Sequence, residues 1–218
     1  MSVTLEIVEP PRVRRLYFWA LQASFSGPDG VTGGAHLGLQ WHAIHPGGTA
    51  VNFGGYDAAG RELHGTRSVL PSAPGNQNTR DYRWEPGRAY RLRIGPAEPG
   101  WWSGSVTDLE SGTRSVVRSL EGGGDHLVSP MVWSEVFARC DDPSVLVAWS
   151  DPAGVDLGGG RWRPQTASVS YQTVEHGGCS NTDVLEEGSR LLQRTSTPRL
   201  ADPGRVLVWG QDRPAGDR

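Results

Sequence analysis

At 218 residues, the chain is long enough for one large all-β domain or two smaller ones. Nine Trp and 36% hydrophobic residues suffice for a core, while 30 Gly and 16 Pro are typical of many short strands separated by turns. The formal net charge is only −3, which argues against a nucleic-acid-binding protein, because such a surface needs clustered cations.

The N-terminal region carries Glu6 and Glu9 and contains no apolar run, so we expect no secretory signal. No segment approaches the ~20 apolar residues of a membrane-spanning helix, and we expect no membrane partner. Cys140 and Cys179 are too few for a disulfide framework or for a cysteine-based zinc site. We therefore expect a cytoplasmic chain with reduced thiols.

Alternation of apolar and polar residues predicts a series of short strands with turns between them. Residues 15–25 are apolar on both faces, which is typical of a strand covered on both sides. Residues 89–94 alternate apolar residues with arginines and are interpreted as an edge or half-exposed strand. In chain order, the expected strands are 4–8, 15–25, 34–42, 51–56, 63–70, 89–94, the two arms of a hairpin at 101–120, 127–139, 144–150, 168–175, a strand pair (or one short helix) in 184–194, and 206–209. Residues 71–80 and 151–165 are expected to be loops.

The clearest pattern lies in residues 34–56, which read as two strands joined by a loop. The first strand has one apolar face, made of Ala35, Leu37, Leu39 and Trp41. Its other face carries three groups that form hydrogen bonds: His36, Gln40 and His42. The second strand adds Asn52 and Tyr56 to the polar face. A period of two with one polar face predicts a half-buried strand whose outward side can meet a ligand.

About a dozen strands at intervals of 8–12 residues, with no convincing helix, are typical of a sandwich or a barrel. We find no repeat and no linker. The prediction is an all-β fold, a two-sheet antiparallel β-sandwich, formed by a single domain over residues 1–210. Residues 211–218 are expected to be a disordered tail.

Three segments resemble known families. GAHLGLQWHAIHPGGTAVNFGGYDAAG (34–60) resembles the core of the bacterial domains of unknown function known as DUF3472. YRWEPGRAYRLRI (82–94) and GWWSGSVTDLESGTR (100–114) resemble the aromatic strand and hairpin of concanavalin A-like jelly rolls. The resemblance covers residues 15–150 and implies a jelly roll whose concave face binds carbohydrate in many relatives. The paired-carboxylate strand of the glucanase branch, E-x-D-x-x-E, has no counterpart here, so retaining hydrolysis is not expected.

The candidate ligand-binding residues are the polar face of residues 34–56 and three tryptophans, because an exposed indole ring is a surface on which sugars and aromatic ligands stack. They are His36, Gln40, His42, Asn52, Tyr56, Trp84, Trp102 and Trp133. The alternatives are a solvated convex face for the polar residues and a core or loop-covered position for the tryptophans. His42 and His45 lack a third ligand nearby in the sequence, so we expect no metal there.

Three further residues are candidates for acid–base or nucleophilic chemistry: Glu135, His176 and Cys179. Cys179 follows His176 by three residues, as an activated thiol could, although a structural loop is the alternative. Several loop aspartates could bind calcium but lack regular spacing: Asp125, Asp141, Asp142, Asp151 and Asp156. No other cofactor is expected.

The residues therefore favour a ligand-binding module for a carbohydrate or another polar small molecule on the concave sheet face. The alternative is an enzyme of specialised metabolism (a lyase, cyclase or hydrolase) that uses the same pocket. A third possibility is an assembly subunit that pairs through a sheet edge.

Overall fold

The computed structural model describes residues 1–156 and 158–209, and the predicted tail at 211–218 lies outside the described residues. Within the described part, the chain forms strands and two single-turn 3₁₀ helices, Pro46–Gly48 and Val174–His176. The strands are β1 (Ser2–Glu9), β2 (Tyr17–Gly27), β3 (Gly30–Trp41), β4 (Thr49–Asp57), β5 (Thr79–Asp81), β6 (Ala89–Pro96), β7 (Trp101–Asp108), β8 (Arg114–Glu121), β9 (His126–Val136), β10 (Leu146–Val155), β11 (Arg161–Trp162), β12 (Thr166–Ser168), β13 (Thr182–Glu187), β14 (Arg190–Thr195) and β15 (Val206–Val208).

These strands form two large antiparallel sheets that pack face to face, which confirms the predicted all-β sandwich. One sheet has the order β13-β14-β10-β1-β6-β7-β8, with β11 paired to β10. The other has the order β5-β4-β3-β2-β9. A separate two-stranded sheet joins β12 to β15.

Strand alternation produces the core, because every second residue of each sheet points toward the opposite sheet. From the five-stranded sheet, the inward residues include Trp19, Leu37 and Phe53, each at most 1% exposed. From the larger sheet, Leu5 and Trp149 are fully buried. The sheets approach closely where Phe53 meets Gly104 of β7, since a Cβ at Gly104 would lie 2.4 Å from the Phe53 ring.

The two sheets have unequal widths, and this creates an overhang. Strand β4 contacts β8, and β3 contacts β6, across the sandwich. Further along the sandwich, β9 reaches over β14, because the Ser134 hydroxyl on β9 donates to the side-chain oxygen of Gln193 on β14 at 2.5 Å. Strand β13, the next strand of the larger sheet, therefore extends beyond the edge of the smaller sheet. The inner face of this overhang is covered by β12, β15 and residues 169–181, which we call the roof. Trp209, just after β15, donates from its ring nitrogen to the carbonyl of Trp149 at 3.2 Å.

Several predicted elements differ from the structure. Residues 63–70 contain only an isolated bridge, from Gly65 to Leu120, instead of a strand. The predicted strand at 168–175 reduces to the end of β12, followed by irregular chain and a 3₁₀ turn. Strand β6 lies between β1 and β7, so the edge alternative for residues 89–94 is wrong. The half-exposed alternative is confirmed, because Tyr90, Leu92 and Ile94 are buried while Arg91 and Arg93 are more exposed. The predicted loop at 151–165 contains the end of β10 and β11.

Candidate functional site

The face of the five-stranded sheet that points away from the sandwich, here called the outer face, carries the densest cluster of polar and aromatic groups. Strand register aligns its side chains in rows across the sheet. One row is Glu135, Phe18, Gln40, Ala50 and Asp81; the next is Trp133, Ala20, Gly38, Asn52 and Thr79; the third is Met131, Gln22, His36 and Gly54.

Three rings meet in the centre of this face. The Phe18 ring centroid lies 5.6 Å from that of His36 and 5.0 Å from that of Trp133, and His36 and Trp133 are 6.0 Å apart, all in edge-to-face geometry. Phe18 is only 4% exposed, so His36 and Trp133 present the accessible part of the cluster. The Trp133 ring nitrogen donates to the side-chain oxygen of Gln22 at 2.8 Å, which fixes the orientation of the indole ring.

Small residues beneath the rings allow this arrangement. Ala20 and Gly38 lie in the row between Trp133 and Asn52, and both are buried. A Cβ at Gly38 would lie 1.9 Å from the backbone oxygen of Trp19, so the backbones of β2 and β3 approach too closely here for any other residue. The sequence therefore needs glycine at position 38 to keep the aromatic cluster flat against the sheet.

Asn52 supplies an acceptor that no described residue uses. Its amide nitrogen donates to the Thr79 hydroxyl at 2.7 Å, while its side-chain oxygen is buried and has no hydrogen-bond partner among the described residues. A buried polar atom without a partner carries a desolvation cost of about 1–3 kcal/mol, which a ligand or water donor would relieve.

Burial shifts the titration of two groups on this face. It lowers the pKa of His36 and raises the pKa of Glu135, because desolvation disfavours the charged form in both cases. The outer face thus combines a neutral imidazole with a carboxyl group that holds its proton more readily than a solvated one. Glu135 remains exposed on β9, where it can reach a ligand.

A small cavity lies at the other end of β3, with a volume of ≈ 200 Å³. Gln40 and His42 line it, together with Pro74 and Asn76 from the loop before β5. The nearby His45 is buried and its Nδ1 lies 2.7 Å from an Asp81 carboxylate oxygen, so this histidine anchors the loop. Of the predicted ligand-binding residues, Gln40 and His42 therefore share this cavity, while His36, Asn52, Tyr56 and Trp133 lie along the outer face.

Trp84 and Trp102 correct the expectation of exposed stacking surfaces. They are 2% and 4% exposed and belong to the core between the sheets. Trp84 donates to the carbonyl of Gln40 at 3.0 Å, and Trp102 donates to the carbonyl of Gly123 at 2.8 Å. Both rings fill the interior with their polar atom satisfied, so neither is available to a ligand.

The expectation of reduced thiols is also wrong, because Cys140 and Cys179 form a disulfide bond. Cys179 is consequently not a free nucleophile. His176 lies in a 3₁₀ turn, and its Nδ1 is 2.8 Å from the Thr173 hydroxyl. The bond ties the segment after β9 to the roof. A cytoplasmic location stays a prediction, although such bonds are more typical of oxidising compartments.

Of the five aspartates considered for calcium, three pair with a basic side chain, Asp125 with His126, Asp141 with Arg139 and Asp151 with Arg91, and two serve local turns. The Asp156 carboxylate accepts from the amides of Gly158 and Gly160 at 2.9 and 2.8 Å, and Asp142 accepts from the amide of Arg139 at 2.8 Å. Across residues 1–156 and 158–209, no group of three or more His, Cys, Asp or Glu side chains could hold a metal ion. In the same part of the chain, no helix is long and apolar enough to span a membrane.

Two residues of the site were missed by the sequence analysis. Phe18 and Gln22 share the outward face of β2, but residues 15–25 were interpreted as covered on both sides because aromatic residues occur on each face. The sequence does hold a signal for Gln22, because it lies two residues after Ala20 and four after Phe18, which places all three side chains on the same face of β2. The pairing of β2 with both β3 and β9, which brings Gln22 beside His36 and near Trp133, is a long-range feature.

The fold and the outer face define an antiparallel β-sandwich with a polar and aromatic sheet surface. No model of a known protein family matches the sequence, and no curated protein matches it. Among solved structures, aspergilloglutamic peptidase from Aspergillus niger is similar, with 13% identity and a TM-score of 0.48 over 82% of this chain and 99% of that chain. Scytalido-glutamic peptidase with a transition state analog inhibitor is similar at 11% identity and a TM-score of 0.44, over 88% of this chain and 89% of that chain. At these identities and TM-scores, the similarity says nothing about the chemistry of this chain, which depends on its own residues.

Proposed function

We propose that the outer face binds a polar ligand of the carbohydrate class, held between Trp133 and Asn52. The observation that carries this proposal is the row in which these two residues occur. It places a partly exposed indole ring at one end and an unpartnered amide oxygen at the other. Three strand spacings separate them, about 14 Å, which suits a short chain of sugar rings.

The chemistry of the row matches the two kinds of surface that a sugar presents. The apolar face of a pyranose ring stacks on an aromatic side chain, and its hydroxyl groups donate hydrogen bonds. Trp133 offers the stacking surface, with its ring nitrogen already engaged by Gln22. Asn52 offers the acceptor, and His36 adds a neutral imidazole that both donates and accepts.

The test is binding of labelled protein to a glycan array, followed by calorimetric titration of any glycan that binds. Trp133→Ala and Asn52→Ala are each expected to weaken binding by about tenfold or more, because each removes one end of the site. Trp162→Ala is the matched control, since Trp162 is 47% exposed but lies on β11, away from the outer face. Melting temperatures of all variants establish that they are folded. The proposal fails if no glycan binds, or if Trp133→Ala binds as well as Trp162→Ala.

A second candidate function is hydrolysis on the same face, and one observation favours it. Burial raises the pKa of Glu135, as a general acid requires, and Glu135 lies beside Phe18, with Gln40 one strand further on in the same row. Fluorogenic peptide and glycoside panels test it: turnover that disappears in Glu135→Gln supports hydrolysis, and turnover that persists in that variant refutes a role for this carboxyl group.

A further inference from the structure

The overhang of the larger sheet encloses a cavity that lies on the inner side of the sheets and reaches the outer face only along β9. Its volume is ≈ 970 Å³, and it lies between the inner faces of the two sheets and beneath the roof. Its walls are mainly apolar and come from β2, β9, β14 and the segment after β15: Trp19, Leu21, Val132, Val136, Leu191 and Trp209. Pockets of a few hundred to about 1,000 Å³ with such walls are typical of small-molecule sites.

Two polar side chains inside the cavity satisfy one another. The Ser134 hydroxyl donates to the side-chain oxygen of Gln193 at 2.5 Å, and the Trp149 ring nitrogen donates to the same oxygen at 2.9 Å. The Ser134 hydroxyl, the Trp149 ring nitrogen and the Gln193 side-chain oxygen are therefore engaged before any ligand enters.

Tyr17 differs, because its hydroxyl has no partner. The residue is 1% exposed and lines the cavity, and its oxygen makes no hydrogen bond to any described residue. Burial and the nearby Asp142 raise the pKa of Tyr17, so the group keeps its proton and remains a donor. A buried hydroxyl without a partner costs about 1–3 kcal/mol, and a ligand oxygen that accepts from it would recover that cost.

We propose that this inter-sheet cavity is a binding site for a neutral, largely apolar ring compound that carries a ketone oxygen, which accepts a hydrogen bond from Tyr17. Apolar walls reward the burial of a hydrocarbon skeleton. Three charged residues that border the cavity are already engaged: Arg194 with Glu9, Arg139 with Asp141, and Asp183 with the amide of Ala201. A charged ligand would therefore lose its hydration for little in return, and a neutral molecule fits better. Among the described residues that line the cavity, the Tyr17 hydroxyl is a buried donor without a partner, and it selects an acceptor on the ligand.

Entry to the cavity follows from the sheet order. Strand β9 pairs only with β2 in the described residues, so its other edge borders the cavity mouth. The Cys140–Cys179 disulfide holds the roof to the segment that follows β9 at one end of this mouth. The ligand therefore enters along β9, and Trp133 and Glu135 form the outer side of the opening.

The experiment uses N-phenyl-1-naphthylamine, a neutral probe whose fluorescence rises in apolar surroundings, and two competitors that differ in one carbonyl group, fluorenone and fluorene. The probe is expected to bind the intact chain at one site and to be displaced by both competitors. Val184→Phe, which projects a larger side chain into the cavity from β13, should weaken probe binding by about tenfold or more. Val116→Phe is the matched control, since Val116 is 43% exposed on β8, and should bind the probe unchanged.

Tyr17→Phe tests the anchor separately and keeps the shape of the ring. It should weaken fluorenone by about fivefold, the value of one neutral hydrogen bond, and leave fluorene and the probe unchanged. The site is refuted if the probe does not bind, or if folded Val184→Phe binds it as tightly as Val116→Phe. If Val184→Phe does not fold, the Tyr17→Phe comparison decides: equal affinities of the variant and the parent chain for fluorenone would overturn the proposal. These outcomes are independent of glycan binding on the outer face.

Discussion

Removal of the Cys140–Cys179 disulfide should destabilise the protein by about 4 kcal/mol. The bond joins residues separated by 39 positions. For a loop of this length, the chain-entropy relation gives a loss of about 13 cal/mol/K in the unfolded state, or about 4 kcal/mol near room temperature. The folded state loses little in return, because Asn181 and Ser196 also hold this region by donating to the carbonyl oxygen of Cys140 at 2.7 and 3.1 Å.

The assay is urea denaturation of the parent chain and of a Cys140→Ala/Cys179→Ala double variant, each with and without dithiothreitol. The parent should lose about 4 kcal/mol of unfolding free energy in reductant, to the level of the double variant, and the double variant should not respond to reductant. A difference below about 1 kcal/mol, or two titratable thiols per native chain before reduction, would refute the reasoning.

Two further predictions concern the outer face. Burial lowers the pKa of His36 in the folded chain. Below the ordinary histidine pKa of ~6.5, the unfolded chain therefore binds more protons than the folded chain. The stability contributed by the neutral ring should be present above that pH and should fall as the pH drops toward the lowered pKa of the folded state. Melting temperatures at pH 5 and 7 should therefore differ more for the parent than for His36→Phe, and an unchanged difference would contradict this assignment. Gly38→Ala should lower the free energy of unfolding by about 2 kcal/mol or more, because the added Cβ would lie 1.9 Å from the Trp19 carbonyl oxygen. Urea denaturation measures this change, and an unchanged free energy of unfolding would show that β2 and β3 can separate here without loss of stability.

The alternation of apolar and polar residues predicted most of the fold and about half of the residues of the outer-face site. It predicted the sandwich, the hairpin of β7 and β8, and the outward positions of His36, Gln40 and Asn52, because burial of one sheet face imposes a period of two that a sequence displays directly. The same alternation wrongly predicted strands at 63–70 and 168–175. These segments are mostly irregular chain that packs over the sheets. In these segments, contacts distant in sequence outweigh local propensity.

The other half of the site depends on pairings that local sequence does not encode. The outward position of Trp133 and the inward positions of Trp84 and Trp102 follow from which strands pair, and all three tryptophans look alike in the sequence. The disulfide has the same origin, since Cys140 and Cys179 become neighbours only when the roof folds over the overhang. The inter-sheet cavity likewise arises from unequal sheet widths, which depend on the complete strand order.

The position of β1 has a consequence for how the chain folds. Leu5 pairs with Tyr90 on one side and with Trp149 on the other, so β1 depends on partners that lie far along the chain. Closing such long loops before any pairing is gained slows folding. One edge of β1 can pair once β6 has been made, but its other edge stays unpaired until β10 has also been made, so completion of the larger sheet is expected to be a late event.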